Sequence, residues 1–267
     1  MKSTLHVIKI GGDIIDDAVL LSRSLTAFAK LESPKILVHG GGKRADRLCE
    51  KLNIPIRRYE GRRLTDAATL DVVSMVYAGS INPQLVAALQ AKGTVALGVS
   101  GADLNCWNVV KRPIQDRDYG FVGDVLGVRT EGIQLLLDAG ITPVFSALTH
   151  DGTGQLLNTN ADTLATSLAS AFASQYHVYL RFCGKVPGVL MDVQDPISRL
   201  MQLDQIQYQT LVNQQVITAG MLPKLSNAFT ASAAGVARVS IGDPDHWLRE
   251  DGTIIQQLRQ TAETDRA

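Results

Sequence analysis

The stretch Lys35-Ile-Leu-Val-His-Gly-Gly-Gly-Lys-Arg-Ala-Asp-Arg-Leu-Cys-Glu-Lys-Leu52 reads in three parts. A short apolar run ends at His39, three glycines follow, and Ala45, Leu48, Cys49 and Leu52 then fall on one face of a helix. Strand, glycine turn and amphipathic helix in that order make half of a β-α-β unit. The same succession opens the chain: an apolar run over residues 5–10, Gly11-Gly12, and a helical pattern to about Leu31. Further strand-like runs lie at 94–100, 142–146, 177–180 and 236–241, mostly separated by helical stretches. This rhythm predicts an α/β fold, a three-layer αβα sandwich around one open, mainly parallel sheet. Between Cys106 and Val128 the pattern turns β-rich around a polar connection containing Pro113, which predicts a β-hairpin excursion from that sheet. No repeat, low-complexity tract or long linker interrupts the chain. The expectation is one domain over residues 1–267, with two lobes at about 1–174 and 175–267.

Composition narrows the function. The 267 residues carry 26 Lys and Arg against 26 Asp and Glu, for a formal net charge of +0. With 45% hydrophobic and 19% charged residues the chain can bury a core and is not a disordered one. Neutralising several phosphates of a polyanion requires a basic surplus, and the clusters Arg57-Arg58 and Arg62-Arg63 are short, so no nucleic-acid partner is expected. Cys49, Cys106 and Cys183 lie far apart, which suits a reducing compartment and offers no disulfide framework. The histidines His6, His39, His150, His177 and His246 show no H-x-x-x-H spacing, so no protein metal site is expected. Lys9 interrupts the N-terminal apolar run too early for a signal peptide, and no later segment approaches ~18 uncharged apolar residues. No membrane partner is expected, and the location is read as cytoplasmic.

Open α/β sheets bind ligands at the carboxyl ends of their strands. Four features fall there or at a helix start. Lys9 ends an apolar strand before Gly11-Gly12, and a lysine among Val7, Ile8 and Ile10 is costly to bury unless it meets an anion; an edge strand with its lysine in solvent is the plainer account. His39-Gly40-Gly41-Gly42 leaves bare N–H groups beside a helix start, an anion site or simply a tight turn. Neither a Walker loop nor a complete G-x-G-x-x-G is present. Gly154-Gln-Leu-Leu-Asn-Thr-Asn-Ala-Asp162 runs into a helix predicted from Ala161 to about Ala173. Asn160 can cap it and Asp162 suits its dipole, but capping does not account for Asn158. Lys224, after Gly220-Met-Leu-Pro223, sits in the first turn of a helical run, against the dipole; it is either a solvated side chain or an anion ligand.

Taken together and in this order, these segments resemble the amino acid kinase family. The pieces are Lys9-Ile-Gly-Gly12, His39-Gly-Gly-Gly42, Gly61-Arg-Arg-Leu-Thr65, Gly154-Gln-Leu-Leu-Asn-Thr-Asn-Ala-Asp162 and Ile217-Thr-Ala-Gly-Met-Leu-Pro-Lys224. They span nearly the whole chain. Lys-x-Gly-Gly alone marks the wider family, which includes aspartate, uridylate, carbamate and glutamate 5-kinases. The asparagine–aspartate segment together with Arg63 resembles its acylglutamate branch. The resemblance implies ATP-dependent phosphorylation, with Mg²⁺, of the γ-carboxylate of N-acetyl-L-glutamate or another N-acylated glutamate, a step in arginine biosynthesis. It further implies that Lys9 and Lys224 flank the transferring phosphoryl group, that Asp162 holds them, and that N–H groups near Gly11, Gly12, Gly41 and Gly42 donate to it. By the same resemblance Gly41, Gly42, Arg63 and Asn158 bind the amino-acid substrate, and Lys185, Gly188, Ile217 and Thr218 contact the nucleotide.

The chain departs from the family pattern at Leu180-Arg-Phe-Cys-Gly-Lys-Val-Pro-Gly188, where Lys185 stands in place of an aspartate. The stretch from Lys111 to Asp124 resembles a subgroup using N-succinylglutamate; Lys111, Arg112 and Arg117 are candidates for the extra carboxylate, and a solvated basic hairpin explains them equally. Little chain precedes Lys9, which leaves no room for the N-terminal helix of arginine-inhibited hexamers, so the expectation is a homodimer without arginine feedback. The alternatives are a kinase of another carboxylate, such as aspartate or a carrier-bound aminoadipate, and a catalytically inactive nucleotide or amino-acid sensor, against which Lys9, Asp162 and Lys224 speak. A Rossmann-type oxidoreductase fits the rhythm but lacks the glycine fingerprint.

Overall fold

Every residue from Leu5 to Ile10 is buried, on both faces of its strand, so this strand lies inside the protein and not at an edge. A computed structural model describes residues 2–32, 34–59, 62–217, 221–249 and 251–257, the side chains of 246–248 excepted. The chain starts with β1 (Thr4–Ile10), a short helix α1 (Gly12–Ile15), α2 (Ala18–Lys30), β2 (Lys35–His39) and α3 (Gly42–Lys51). A two-strand ribbon, β3 (Arg58–Tyr59) and β4 (Arg62–Arg63), leads to α4 (Ala67–Ser74), a π-helical segment (Met75–Ile81) and α5 (Asn82–Gln90). After β5 (Ala96–Val99) comes the hairpin β6 (Trp107–Lys111) and β7 (Gly123–Val128), then α6 (Glu131–Asp138) and β8 (Thr142–Ser146). A second ribbon, β9 (Leu148–His150) and β10 (Leu156–Asn158), precedes α7 (Ala161–Phe172) and β11 (His177–Cys183). The remainder is β12 (Gln202–Leu203), α8 (Gln205–Asn213), α9 (Leu222–Ala233), β13 (Arg238–Gly242), α10 (Pro244–Arg249) and β14 (Thr253–Ile255).

Eight strands form one sheet in the order β12-β14-β13-β11-β1-β2-β8-β5. All neighbours are parallel except β13 and β14. The predicted α/β architecture with a mainly parallel sheet is therefore the observed one, and the hairpin of β6 and β7 stands off the sheet as an antiparallel pair. Parallel sheets need cover on both faces, which is why the central strands read as continuous apolar runs. Helix α7 packs across β1, β2 and β11 beside α9, while α2 lies against α5 and α10.

The register sets up the site. Ile10 pairs with His39 and with Cys183, and His39 pairs with Ser146. The four central strands therefore end level, and the glycines after β1, β2 and β11 emerge side by side at one edge. The segment Ala67–Gln90 runs as a single apolar helical stretch, long enough by length and composition to cross a membrane. This departs from the sequence reading, which found no such segment. Its Leu70, Val73, Val76, Ile81, Leu85 and Leu89 are buried in the core, which explains its hydropathy without a membrane.

Two buried histidines make stability depend on acid. His6 accepts a hydrogen bond from Arg181 at 2.8 Å, and His39 is fully buried. Burial lowers each to about 4, with the charges of Arg181 and Lys35 also acting on His6. Between pH ~6.5 and ~4 the unfolded chain therefore binds more protons than the folded one, and stability falls as pH falls through that window. Urea unfolding at pH 7.0 and 4.5 is expected to show a loss on the order of several kcal/mol, part of which disappears in His6→Gln.

Candidate active site

Lys9 is the last inward residue of β1 and is only 8% exposed, inside a sheet where an ammonium needs a counter-charge. Asp162 supplies it, 2.8 Å away, from the first turn of α7. That helix begins where it does because the Asn160 side chain accepts from the N–H groups of Asp162 and Thr163. Lys224 comes from the first turn of α9, a helix whose start has no side-chain cap. Its ammonium reaches the end of β11, where a Cβ on Gly184 would lie 3.6 Å from Nζ. Burial lowers the Lys224 pKa, the charge of Lys9 lowers it further, and Asp162 and Asp13 oppose both. Two lysines from distant parts of the chain thus crowd one carboxylate, an arrangement that favours an added anion.

The glycine turns face each other. A Cβ on Gly12 would sit 3.8 Å from the backbone N of Gly42 and 3.9 Å from that of Lys43. Each turn opens a helix, α1 after Gly11 and α3 after Gly41. Gly41 has no room for a side chain, since a Cβ would collide with Ile81 Cδ1 and press on the Tyr77 ring at 3.0 Å. The turn is held from behind by His39. With its pKa lowered to about 4 the ring is neutral, so Nδ1 donates to the Gly40 carbonyl at 2.8 Å and Nε2 accepts from Asn82 at 3.0 Å. Asn82 also donates to the Val144 carbonyl at 2.8 Å.

A cavity of about 890 Å³ opens in front of these turns, lined by Lys9, Asp162, Gly12, Gly40, Gly41 and Gly42, by Arg58, Arg62, Arg63, Tyr77 and Asn158, by the hairpin of β6 and β7, and by Pro223 and Asn227 of α9. Arg63 is 7% exposed and bonds Asp46 at 2.7 Å and the Gly42 carbonyl at 2.9 Å through Nη2, while its buried Nη1 has no hydrogen-bond partner among the described residues. Asn158 donates to Thr65 at 3.0 Å, which answers the question its position in the sequence raised. The structure therefore brings Lys9, Lys224, Asp162, Gly12, Gly41, Gly42, Arg63 and Asn158 to one place.

Of the remaining sequence candidates, Arg112 also lines the cavity, whereas Gly11, Lys111, Arg117, Lys185, Gly188 and Ile217 are not among its lining residues. Gly11 is buried behind the turn, where the Asp13 carboxylate fills the space a Cβ would need. Lys185 lies 3.3 Å from Asp17, the residue capping α2. At Gly188 a Cβ would collide with Thr253 and meet Arg199 at 3.0 Å, so this glycine admits β14 to its neighbours. Ile217 is buried in the core, and Thr218 lies outside the described residues. On the hairpin, Lys111 stacks over Phe121, Arg117 over Tyr59, and Arg112 over Tyr119 while its Nε bonds Asp124 at 3.0 Å. Sequence reading passed over Asp46, Tyr77 and the His39–Asn82 pair. Asp46 is one polar residue of an amphipathic helix and Tyr77 one apolar residue of another, so no spacing marked either.

An α/β sheet with glycine turns and two lysines gathered around a carboxylate defines an enzyme that handles a transferable anionic group. Comparison with known proteins agrees: the amino acid kinase family profile matches residues 4–243. The chain belongs to the amino acid kinase family. The acetylglutamate kinase of Phocaeicola vulgatus is 46% identical over 257 residues, 96% of this chain and 100% of that one. That of Cytophaga hutchinsonii is 47% identical over 238 residues, covering 89% of this chain and 90% of the other. Among solved structures, one from Streptococcus mutans UA159 superposes with a TM-score of 0.77 at 30% identity, covering 94% of this chain and 98% of its own. N-acetylglutamate synthase from Neisseria gonorrhoeae, complexed with coenzyme A and N-acetyl-glutamate, shares the fold with a TM-score of 0.82 at 21% identity, over 97% of this chain and 60% of that one.

The His39–Asn82 pair yields a measurable expectation. Asn82→Ala leaves the His39 ring and the Val144 carbonyl without their donor in the core, at a cost of about 2 kcal/mol. Urea denaturation at pH 7.5 checks this, and an unchanged midpoint would show that water replaces the amide.

Proposed function

We infer that this protein is an acetylglutamate kinase: it transfers the γ-phosphoryl group of ATP to the γ-carboxylate of N-acetyl-L-glutamate, giving N-acetyl-L-glutamyl 5-phosphate, in arginine biosynthesis. The observation that carries this reading is the Lys9–Asp162–Lys224 cluster, whose Lys9 and Asp162 line the cavity, in a chain 46% identical to an acetylglutamate kinase over 96% of its length. A side-chain carboxylate has a pKa near ~4.3, so the nucleophile is already an anion at neutral pH and needs no general base. The obstacle is the approach of one anion to another. Lys9 and Lys224 offset that repulsion from two sides of the transferring group, and Asp162 fixes Lys9 while limiting the mutual repulsion of the two ammoniums. The N–H groups around Gly12 and Gly42 add neutral donors from two facing turns. Arg63 holds the α-carboxylate, for which its unpartnered Nη1 is a ready donor, and Asn158 hydrogen-bonds the amino-acid portion.

The acylated amino acid occupies the lobe of about 1–174 and the nucleotide that of about 175–267, within one domain. Mg²⁺ enters with the nucleotide on its phosphates; among the described residues no three His, Cys, Asp or Glu side chains are grouped to hold a metal. The three cysteines are free and buried, which supports a cytoplasmic location. A homodimer is supported by exposed Met75, Ala78 and Gly79 on the long helical stretch and by the exposed Leu97 of edge strand β5.

The hydroxamate assay tests the reaction directly, because hydroxylamine traps an acyl phosphate. With Mg-ATP, N-acetylglutamate is expected to give product while glutamate and aspartate do not. N-succinylglutamate is run alongside; preference for it would move the acyl assignment. Lys224→Ala is expected to lower kcat at least about a hundredfold with little change in KM for N-acetylglutamate, since its partner charge develops on the transferring group. Because the Lys224 pKa is lowered, the alkaline limb of the kcat profile is expected below the ordinary lysine value of ~10.4 and is expected to move upward in Lys224→Arg. Light scattering on the eluting protein checks the dimer, and a hexamer would overturn it.

A further inference from the structure

Tyr77 lies in the π-helical segment Met75–Ile81, a wide turn of a kind that recurs at functional sites. From this turn Tyr77 and Ile81 both reach the Gly41 backbone, and the aromatic ring stacks against the glycine where a Cβ would be 3.0 Å from two ring carbons. The residue is 6% exposed, yet it lines the large cavity. Its hydroxyl lies 3.9 Å from the point a Gly42 Cβ would occupy, and Arg63 Nη2 lies 3.8 Å from that same point. A buried tyrosine O–H ordinarily finds a partner. Among the described residues no hydrogen bond engages this hydroxyl, and the neighbouring Arg63 has a buried Nη1 without a partner. The Tyr77 hydroxyl and the Arg63 guanidinium therefore approach the same turn, and both residues line the cavity.

We propose that the Tyr77 hydroxyl is a second donor to the carboxylate that Arg63 holds, making Tyr77 a substrate-binding residue that selects an acid-bearing substrate. The inference rests on the acylglutamate reading of the cavity. Arg63 alone is tied through Nη2 to Asp46 and to the Gly42 carbonyl, which leaves its Nη1 side for the ligand. A phenol supplies the other oxygen of the carboxylate with a neutral donor and adds no charge that the substrate would have to balance. Burial raises the Tyr77 pKa, so the group stays protonated and keeps its hydrogen to donate. The position is also rigid, because ring, π turn and glycine lock one another: the ring cannot turn away from the cavity without vacating the face of Gly41.

Tyr77→Phe keeps the ring on Gly41 and removes only the oxygen. Calorimetric titration of N-acetylglutamate into the wild type, Tyr77→Phe, Arg63→Lys and the double variant is the test, with steady-state kinetics beside it. Tyr77→Phe is expected to raise Kd and KM for N-acetylglutamate about tenfold or more, with kcat changed less than about threefold and KM for Mg-ATP unchanged. In the double variant the loss is expected to be smaller than the product of the two single losses, because both donors act on one carboxylate. An unchanged Kd in Tyr77→Phe, or losses that multiply independently, would overturn the proposal and leave Tyr77 as packing. A thermal midpoint within about 2 °C of wild type keeps misfolding out of the comparison. A wild type that binds no N-acetylglutamate would instead remove the functional reading itself, and this proposal with it.

Discussion

The ion pair between Lys9 and Asp162 is the contact around which this protein is arranged. A lysine in the middle strand of an eight-stranded sheet would have to shed its charge or its burial, and a carboxylate 2.8 Å away lets it keep both. Asp162 can meet it because α7 crosses β1, β2 and β11, and because Asn160 starts that helix at the level where those strands end. The pair therefore joins the start of a helix packed over the sheet to the end of a buried strand, and the Lys224 ammonium lies in the same field from α9.

Around that pair the backbone supplies most of the remaining polarity. The glycine turns after β1 and β2 face each other closely enough that a Cβ on Gly12 would touch the backbone N atoms of Gly42 and Lys43, and each turn opens a helix. Their approach depends on support from the opposite side. Tyr77 and Ile81 press on Gly41, and His39 is clamped to Asn82, so the π-helical segment sets the shape of the turn from outside. Charge at the amino-acid end is managed in the same way. Asp46 pairs with both Arg58 and Arg63, and Asp124 pairs with Arg112, so a cavity rich in arginine is only partly neutralised by the protein and keeps donors in reserve.

The two halves of the sheet show how unevenly a sequence displays its structure. The strand from Lys35 to His39 and that from Thr142 to Ser146 are legible residue for residue, because a strand buried on both faces reads as a mainly apolar run with its polar residues at the ends. The hairpin of β6 and β7 and the α7 cap at Asn160 are equally legible, since turn and cap chemistry are local. The motif at 217–224 and the stretch at 180–188 are not. Gly188 and Lys185 look alike in the sequence, as residues near a nucleotide motif, but one makes room for β14 and the other faces the Asp17 cap.

The sequence by itself determined the order of strands and helices, the glycines at strand ends, the capped start of α7 and the identity of the charged residues, because each of these depends on neighbours a few positions away. The tertiary structure alone decided that Lys9 is central and not at an edge, that Asp162 and Lys224 converge on it from helices 153 and 215 residues further along, that Tyr77 lines the cavity, and that Asp46 and Thr65 hold its Arg63 and Asn158. These are pairings between distant segments. They follow from which strands lie side by side and from the level at which those strands end, and burial is the force that sets both.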